Sequence, residues 1–230
     1  MVKPATILGC LTKSLTRRLR LPRAPLIAAG TTDSIAALLA LGPLAPGTGV
    51  TSLGSTLVLK IVSPQPIAAP EFGIYSHKLD HVWLAGGASN SGGAVLAHYF
   101  DTPTLSRLSA AIAVDTPTHL HYYPLIRPGE RFPINDPLLA PRVTPRPADD
   151  HLFLQGLLEG LADIEARGYA LLADHGGPRI KAVITTGGGA HNEAWRAIRE
   201  RVLSVPVKNI TAQPAAFGAA RLARQAAGSC

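Results

Sequence analysis

Residues 180–195 read IKAVITTGGGAHNEAW. An apolar run (Ile180, Ala182, Val183, Ile184) ends at Thr185-Thr186, meets Gly187, Gly188 and Gly189, and passes into a helical pattern striped by Trp195, Ile198, Val202 and Leu203. The order is strand, glycine turn, helix N-terminus. Glycines let a ligand approach the main chain, and the helix that follows offers unpaired N–H groups and the positive end of its dipole. Such a turn suits a nucleotide. It equally suits a plain strand-to-helix bend, because the spacing is neither that of a Walker loop nor that of a dinucleotide fingerprint.

Working outward, Val205–Ile210 reads as a further strand, and Pro214 opens a last helix over 215–226. Upstream, Asp149 or Asp150 caps a long helix reaching about Leu172, with Leu154, Leu157, Leu158, Leu161 and Ile164 on one face. Gly156 and Gly160 are four apart on it and leave room for a closely packed neighbour. Residues 101–148 are irregular and proline-rich, with Tyr122–Leu125 and Pro128–Pro133 as an ordered loop. His119 and His121 have no third ligand in view, so no metal site is expected there. Gly73–Leu84 alternates loosely and runs into the glycine-rich 86–93, with a helix over 94–100. Val50–Val62 reads as two strands around Leu53-Gly54-Ser55-Thr56. Ile35–Leu41 is a short helix with Asp33 at its start, where Asp and Ser are common caps. Leu26–Ala29 is a short buried strand, and Leu8–Leu21 an amphipathic helix carrying Ile7, Leu11, Leu15 and Leu19. Strands that come first as a meander and later alternate with helices point to an α/β domain with a mixed sheet.

The chain has 230 residues, 47% of them hydrophobic, enough for one large domain or two small ones. No apolar run is long enough to span a membrane. The formal charge of +7 raises nucleic acid as a partner, but the basic residues are scattered. Their densest cluster (Lys13, Arg17, Arg18, Arg20, Arg23) lacks interleaved aromatics, so no nucleic-acid partner is expected. Residues 1–32 contain no acidic side chain, a composition that transit peptides share. Cys10 and Cys230 match no metal spacing and fit a reduced, intracellular setting.

Six segments now combine. AAGTTDSIAA (28–37), TSLGSTLVLK (51–60), GGASNSGGAVL (86–96), PLIRPGERFP (124–133), TTGGGAHNEAW (185–195) and AAFGAARLA (215–223) stand in the order and spacing of FGGY-type carbohydrate kinases. The chain resembles that family from about Ile7 onward. The resemblance is nearest to its plant and cyanobacterial group, which is xylulose kinase-like and is assigned to D-ribulose phosphorylation. It implies the C-terminal half of an actin-like ATPase (ribonuclease H-like) architecture. Residues 1–45 would be an inter-domain segment and 46–230 the nucleotide-binding domain. The N-terminal domain, with its Asp-x-Gly-Thr phosphate loop and much of the sugar pocket, has no counterpart here.

The same resemblance implies ATP and Mg²⁺ as cofactors and a ketopentose as substrate, D-ribulose before D-xylulose. Asp33 would be the general base, with Thr31 and Thr32 positioning it. Gly54, Ser55 and Thr56 would approach the ATP phosphates, and Gly187, Gly188, Gly189 and Asn192 would line the adenosine pocket. Ser89 and Asn90 are lesser candidates that would otherwise cap a helix. The main protein contact to Mg²⁺ would come from the absent half. Gln213-Pro214 departs from the family, where an acidic residue is expected. The implied location is cytoplasmic, or plastid for a photosynthetic eukaryote. The missing half, or self-association through an uncovered apolar face, would complete the protein; otherwise the chain is a non-catalytic nucleotide-binding or interaction module.

Overall fold

The computed structural model describes residues 2–79, 81–210 and 214–228; Gln213 and Cys230 lie outside them. The chain separates into two compact units, Met1–Leu44 with Ala212–Cys230, and Ala45–Thr211.

The first unit opens with a strand, β1 (Ile7–Cys10), then helix α1 (Lys13–Arg18), strand β2 (Leu26–Ala28) and helix α2 (Asp33–Ala40). The helix expected over 8–21 is therefore cut to its middle. β1 pairs antiparallel with β2, and Leu11 N–H donates to Pro25 O at 2.9 Å, so backbone pairing takes the residues that helical periodicity had claimed. Thr12 caps α1, its hydroxyl accepting from Leu15 N–H at 3.4 Å. Leu26 and Ile27 do form a strand, but both are exposed rather than buried.

The second unit is built on one sheet. Its elements are β3 (Thr48–Leu53), β4 (Leu57–Ser63), β5 (Tyr75–Leu79), β6 (Val82–Ser89), α3 (Gly93–Tyr99), α4 (Thr102–Ser109), α5 (Asp150–Asp174), β7 (Ala182–Thr186), α6 (Glu193–Leu203) and β8 (Val207–Asn209). The strand order is β5-β6-β4-β3-β7-β8. β3, β7 and β8 run parallel, and the remaining pairs are antiparallel, so the sheet is mixed and flanked by helices. One face supplies Leu57, Leu59, Ile61 and Val183 to a core shared with Leu154, Leu157 and Leu161 of α5 and Trp195 and Ile198 of α6. Asp149 caps α5, accepting from His151 N–H. At Gly160 a side chain would meet the Tyr122 carbonyl oxygen at 2.7 Å, and at Gly156 the Leu120 methyl at 2.7 Å, so the two glycines seat the 120–124 loop on the helix.

Two departures from expectation have local causes. β6 runs through Gly86 to Ser89, because its ladder with β4 holds as far as Leu57↔Ser89. Residues 102–109, read as irregular, form α4. Asp101 accepts from Thr104 N–H at 2.9 Å and Pro103 sits in the first turn, both helix-start signals.

The last helix, α7 (Ala215–Ala227), belongs to the first unit and packs on α2. Pro214 occupies its N-cap rather than its first helical turn. A side chain at Gly218 would overlap the Ala36 carbonyl, so glycine is what brings the two backbones together. Arg221 Nη1 donates to Leu39 O at 3.1 Å, adding a side-chain donor to a last-turn carbonyl of α2 that Gly42 N–H also reaches at 3.2 Å.

Candidate functional site

β3 and β7 are parallel neighbours in the register Ser52↔Thr186, so the Gly54–Thr56 hairpin and the Gly187–Gly189 turn leave the same edge of the sheet. The carboxyl ends of parallel strands are where open α/β sheets bind ligands. The three glycines serve three purposes. Gly187 has φ +86, and a side chain there would lie 2.7 Å from Leu53 O, so the turn can cross the end of β3 only with glycine. A side chain at Gly189 would meet the Trp195 ring at 2.6 Å; packing requires that glycine. A side chain at Gly188 would meet nothing within 4 Å. Neither packing nor conformation demands glycine at 188, and Gly188 is one of the residues that line a cleft.

That cleft measures about 850 Å³ and lies between α4 and the 188–197 segment. Leu96, Leu105, Ile112, Val114 and Trp195 give it apolar walls. Among the described lining residues the one lysine or arginine, Arg196, is engaged by Glu193 at 2.7 Å and Glu200 at 2.7 Å. An apolar slot with a few placed polar groups suits the flat faces of a base or another small organic ligand. Asn192 supplies such groups. Its Oδ1 accepts from Trp195 N–H at 3.0 Å and caps α6, and its Nδ2 donates to Ser109 Oγ at 2.9 Å. Ser109, at the end of α4, therefore joins the site across the cleft; with α4 unread, the sequence had no means of placing it there.

The hairpin is tied to the start of α3. Gly93 N–H donates to Gly54 O at 2.9 Å and Ala94 N–H to Ser55 O at 3.1 Å. The first-turn donors of α3 are thus spent on the hairpin, leaving Ser55 exposed at its tip. Ser89 and Asn90 do not cap α3: Ser89 Oγ and Asn90 N–H both donate to Glu130, at 2.6 Å each.

Beneath the strands lies a buried polar network. Arg199 Nε and Nη2 reach the two Glu165 oxygens at 2.6 and 2.8 Å, and Arg199 Nη1 reaches Thr185 Oγ1 at 2.7 Å. Thr51 donates to Glu165 Oε1 at 2.5 Å, so Tyr169 is the donor in its 2.8 Å bond to Thr51. Burial, then the Glu165 charge, hold the Tyr169 phenol far above its usual range. The network joins β3, β7, α5 and α6 and braces both strands that end at the site. A charge inside each apolar stripe (Glu165 after Leu161, Arg199 after Trp195) was the available signal.

In the first unit, Asp33 is the first residue of α2 and Thr32 holds the N-cap without a side-chain cap bond. Thr31, Thr32 and Asp33 are exposed, with α2 fixed from behind by α7. Among the described residues no group of three or more His, Cys, Asp or Glu is arranged to hold a metal ion.

A six-stranded mixed sheet with its candidate ligand cleft at the ends of parallel strands is the C-terminal domain architecture of actin-like ATPases. Residues 49–227 match the C-terminal domain of the FGGY family of carbohydrate kinases, and the chain belongs to that family. Among solved structures, it is similar over its whole length to a xyloylose kinase from Brucella ovis (27% identity, TM-score 0.87). It also shares its fold with a ligand-bound xylulose kinase and a gluconate kinase, both from Lactobacillus acidophilus, each at 19% identity, with TM-scores of 0.83 and 0.82 and all of this chain covered. The chain spans 49%, 48% and 48% of those three proteins, about half of each. No described helix is long and apolar enough to cross a membrane.

Proposed function

We propose that the chain is the nucleotide-binding half of an ATP-dependent kinase acting on a ketopentose hydroxyl, D-ribulose before D-xylulose. The observation that carries it is Gly188, a glycine with no steric duty, opening on an apolar cleft capped by the Asn192–Ser109 pair. Membership of a carbohydrate kinase family supports the reaction class; the ketopentose rests on the motif resemblance and on the xyloylose kinase similarity.

Phosphoryl transfer asks a protein for positioning and charge stabilisation. The adenosine lies in the cleft against Gly187–Gly189, near Asn192. Backbone and hydroxyl donors of Gly54, Ser55 and Thr56 approach the phosphates. Asp33, steadied by Thr31 and Thr32, takes the proton of the sugar hydroxyl as its oxygen forms the bond to the γ-phosphorus, while the bond from that phosphorus to the ADP oxygen breaks. Among the described residues no group of three or more His, Cys, Asp or Glu is arranged to hold a metal ion, and the main protein contact to Mg²⁺ would come from an N-terminal half. By the motif resemblance, the phosphate loop and most sugar contacts would come from an N-terminal half, supplied separately or replaced through self-association. The reaction is placed in the cytoplasm, or in a plastid for a photosynthetic source.

The deciding experiment measures MgATP binding by calorimetry and ADP release with D-ribulose, then D-xylulose. Expected are MgATP binding that Gly188→Asp abolishes without changing Tm, and any sugar-dependent ADP release lost in Asp33→Asn. Unchanged affinity in Gly188→Asp removes the site assignment. Binding with no release in any sugar leaves the non-catalytic nucleotide module as the correct description of the isolated chain.

A further inference from the structure

We propose that Glu130 is a positioning residue for the Gly54–Thr56 hairpin, acting through residues 89–94; this rests on that hairpin being the phosphate-contacting element proposed above. Glu130 is 2% exposed. Among the described residues five hydrogen-bond donors reach its carboxylate. Oε2 accepts from Ser89 Oγ at 2.6 Å and from Tyr123 Oη at 3.0 Å. Oε1 accepts from the N–H groups of Asn90 at 2.6 Å, Arg131 at 2.8 Å and Phe132 at 3.5 Å. A buried carboxylate so supplied is charge-assisted at every bond and fixes the groups around it. Burial first, and then the Glu130 charge, push the Tyr123 phenol well above its usual range, so Tyr123 stays a donor.

Two of these donors belong to the segment that leaves β6. The next residue, Ser91, gives its hydroxyl to the Pro124 carbonyl, so residues 89–91 are clamped from both ends of the 124–130 loop. The clamp reaches the hairpin directly. Leu57 N–H donates to Ser91 O at 2.7 Å, Gly93 N–H to Gly54 O at 2.9 Å and Ala94 N–H to Ser55 O at 3.1 Å. A side chain at Gly92 would sit 2.7 Å from Ser55 O, so this backbone lies flat on the hairpin. The hairpin carbonyls at 54 and 55 thus depend on a segment that the Glu130 carboxylate holds at one end and the Pro124 carbonyl at the other. With those carbonyls held toward α3 and Gly54 N–H donating to Thr56 O at 3.2 Å, the exposed residue at the tip is Ser55.

A merely structural glutamate and a positioning one differ in what they do to different ligands. Adenosine uses only the cleft, whereas MgATP also uses the hairpin. Glu130→Gln keeps the shape: its remaining oxygen can serve the three N–H groups, and its amide can face two hydroxyls able to turn and accept. What it loses is charge. Calorimetry on the 230-residue chain should show MgATP bound about tenfold more weakly in Glu130→Gln, with adenosine within about twofold of wild type. Tyr123→Phe should shift the same ratio in the same direction by less. If both variants keep the wild-type ratio of MgATP to adenosine affinity, Glu130 has no positioning role. If Glu130→Gln does not fold, Tyr123→Phe decides by the same ratio. Wild-type chain that binds neither ligand overturns the nucleotide assignment, and this proposal with it.

Discussion

Lys60 stands on β4 opposite Gly86, which stands opposite Tyr75 on β5. With no side chain at Gly86, the lysine stem crosses the middle strand and sets Nζ 3.7 Å from the Tyr75 ring centroid. Among the described residues Nζ has no hydrogen-bond partner, the residue is 8% exposed, and burial lowers its pKa from 10.5 to about 8. Between those two values the unfolded chain binds more protons than the folded one, so stability rises with pH across that window. Below about 8 both states are charged and the desolvation cost is present in full. His77, lowered first by burial and then by the Lys60 charge, titrates below the window. Lys60→Met should therefore stabilise the chain at pH 7 by about 1–2 kcal/mol once the lost cation–π attraction is subtracted. That gain should shrink toward pH 9.5 in urea titrations. A gain that does not vary with pH would show that burial does not lower the Lys60 pKa. The composition of β4 gave no hint of this, because a lysine in an alternating strand reads as solvent-facing. The glycines were legible only as a group: three consecutive letters at 187–189 mark a turn, but which one is conformational, which packs and which opens on a cleft depends on Leu53 and Trp195, remote in sequence or on the next helix.

At the level of elements, α5, the β3–β4 hairpin and the β7–turn–α6 unit were readable because each carries its own signals: a long apolar stripe with an aspartate cap, two apolar runs about a small turn, and a strand ending in glycines. β1 was not, since Ile7–Cys10 fits a helical stripe until Leu26–Ala28 arrives to pair with it. α4 was missed because proline and hydroxyl residues look like loop when the cap at Asp101 is not weighed. What holds the readable elements together was the least visible. The Arg199–Glu165 pair spans α6 and α5 with side chains that are 0% and 1% exposed, and Thr51 and Thr185 attach β3 and β7 to it. A buried pair adds little over an apolar replacement, yet breaking it strands a charge. Arg199→Met should cost about 3–5 kcal/mol in urea denaturation, and Glu165→Leu with Arg199→Met should recover most of that. A single-variant cost below about 1 kcal/mol would mean that water or a rearranged side chain replaces the guanidinium.

Over the whole molecule, two ends of the chain meet. α2, which begins with Asp33, is backed by α7, with Gly218 against the Ala36 carbonyl and Arg221 on the last carbonyls of α2. No local pattern announces this partnership: the small residues of 215–226 show that some backbone comes close, not which one. The core of the second unit, by contrast, is drawn from residues 53–207 alone. Ending the chain after Thr211 should therefore remove what α2 packs on while leaving α5 in its core. Hydrogen exchange should find the α2 amides (residues 36–40) deprotected toward the rates of a frayed short helix, because eight residues in isolation cannot hold a helix. The α5 amides (residues 154–172) should stay protected. Tryptophan emission should also be unchanged, since Trp83 and Trp195 both lie in the second unit. Retained protection in α2 would show that α7 does not support it. Loss of protection in α5 would show that the two units fold as one.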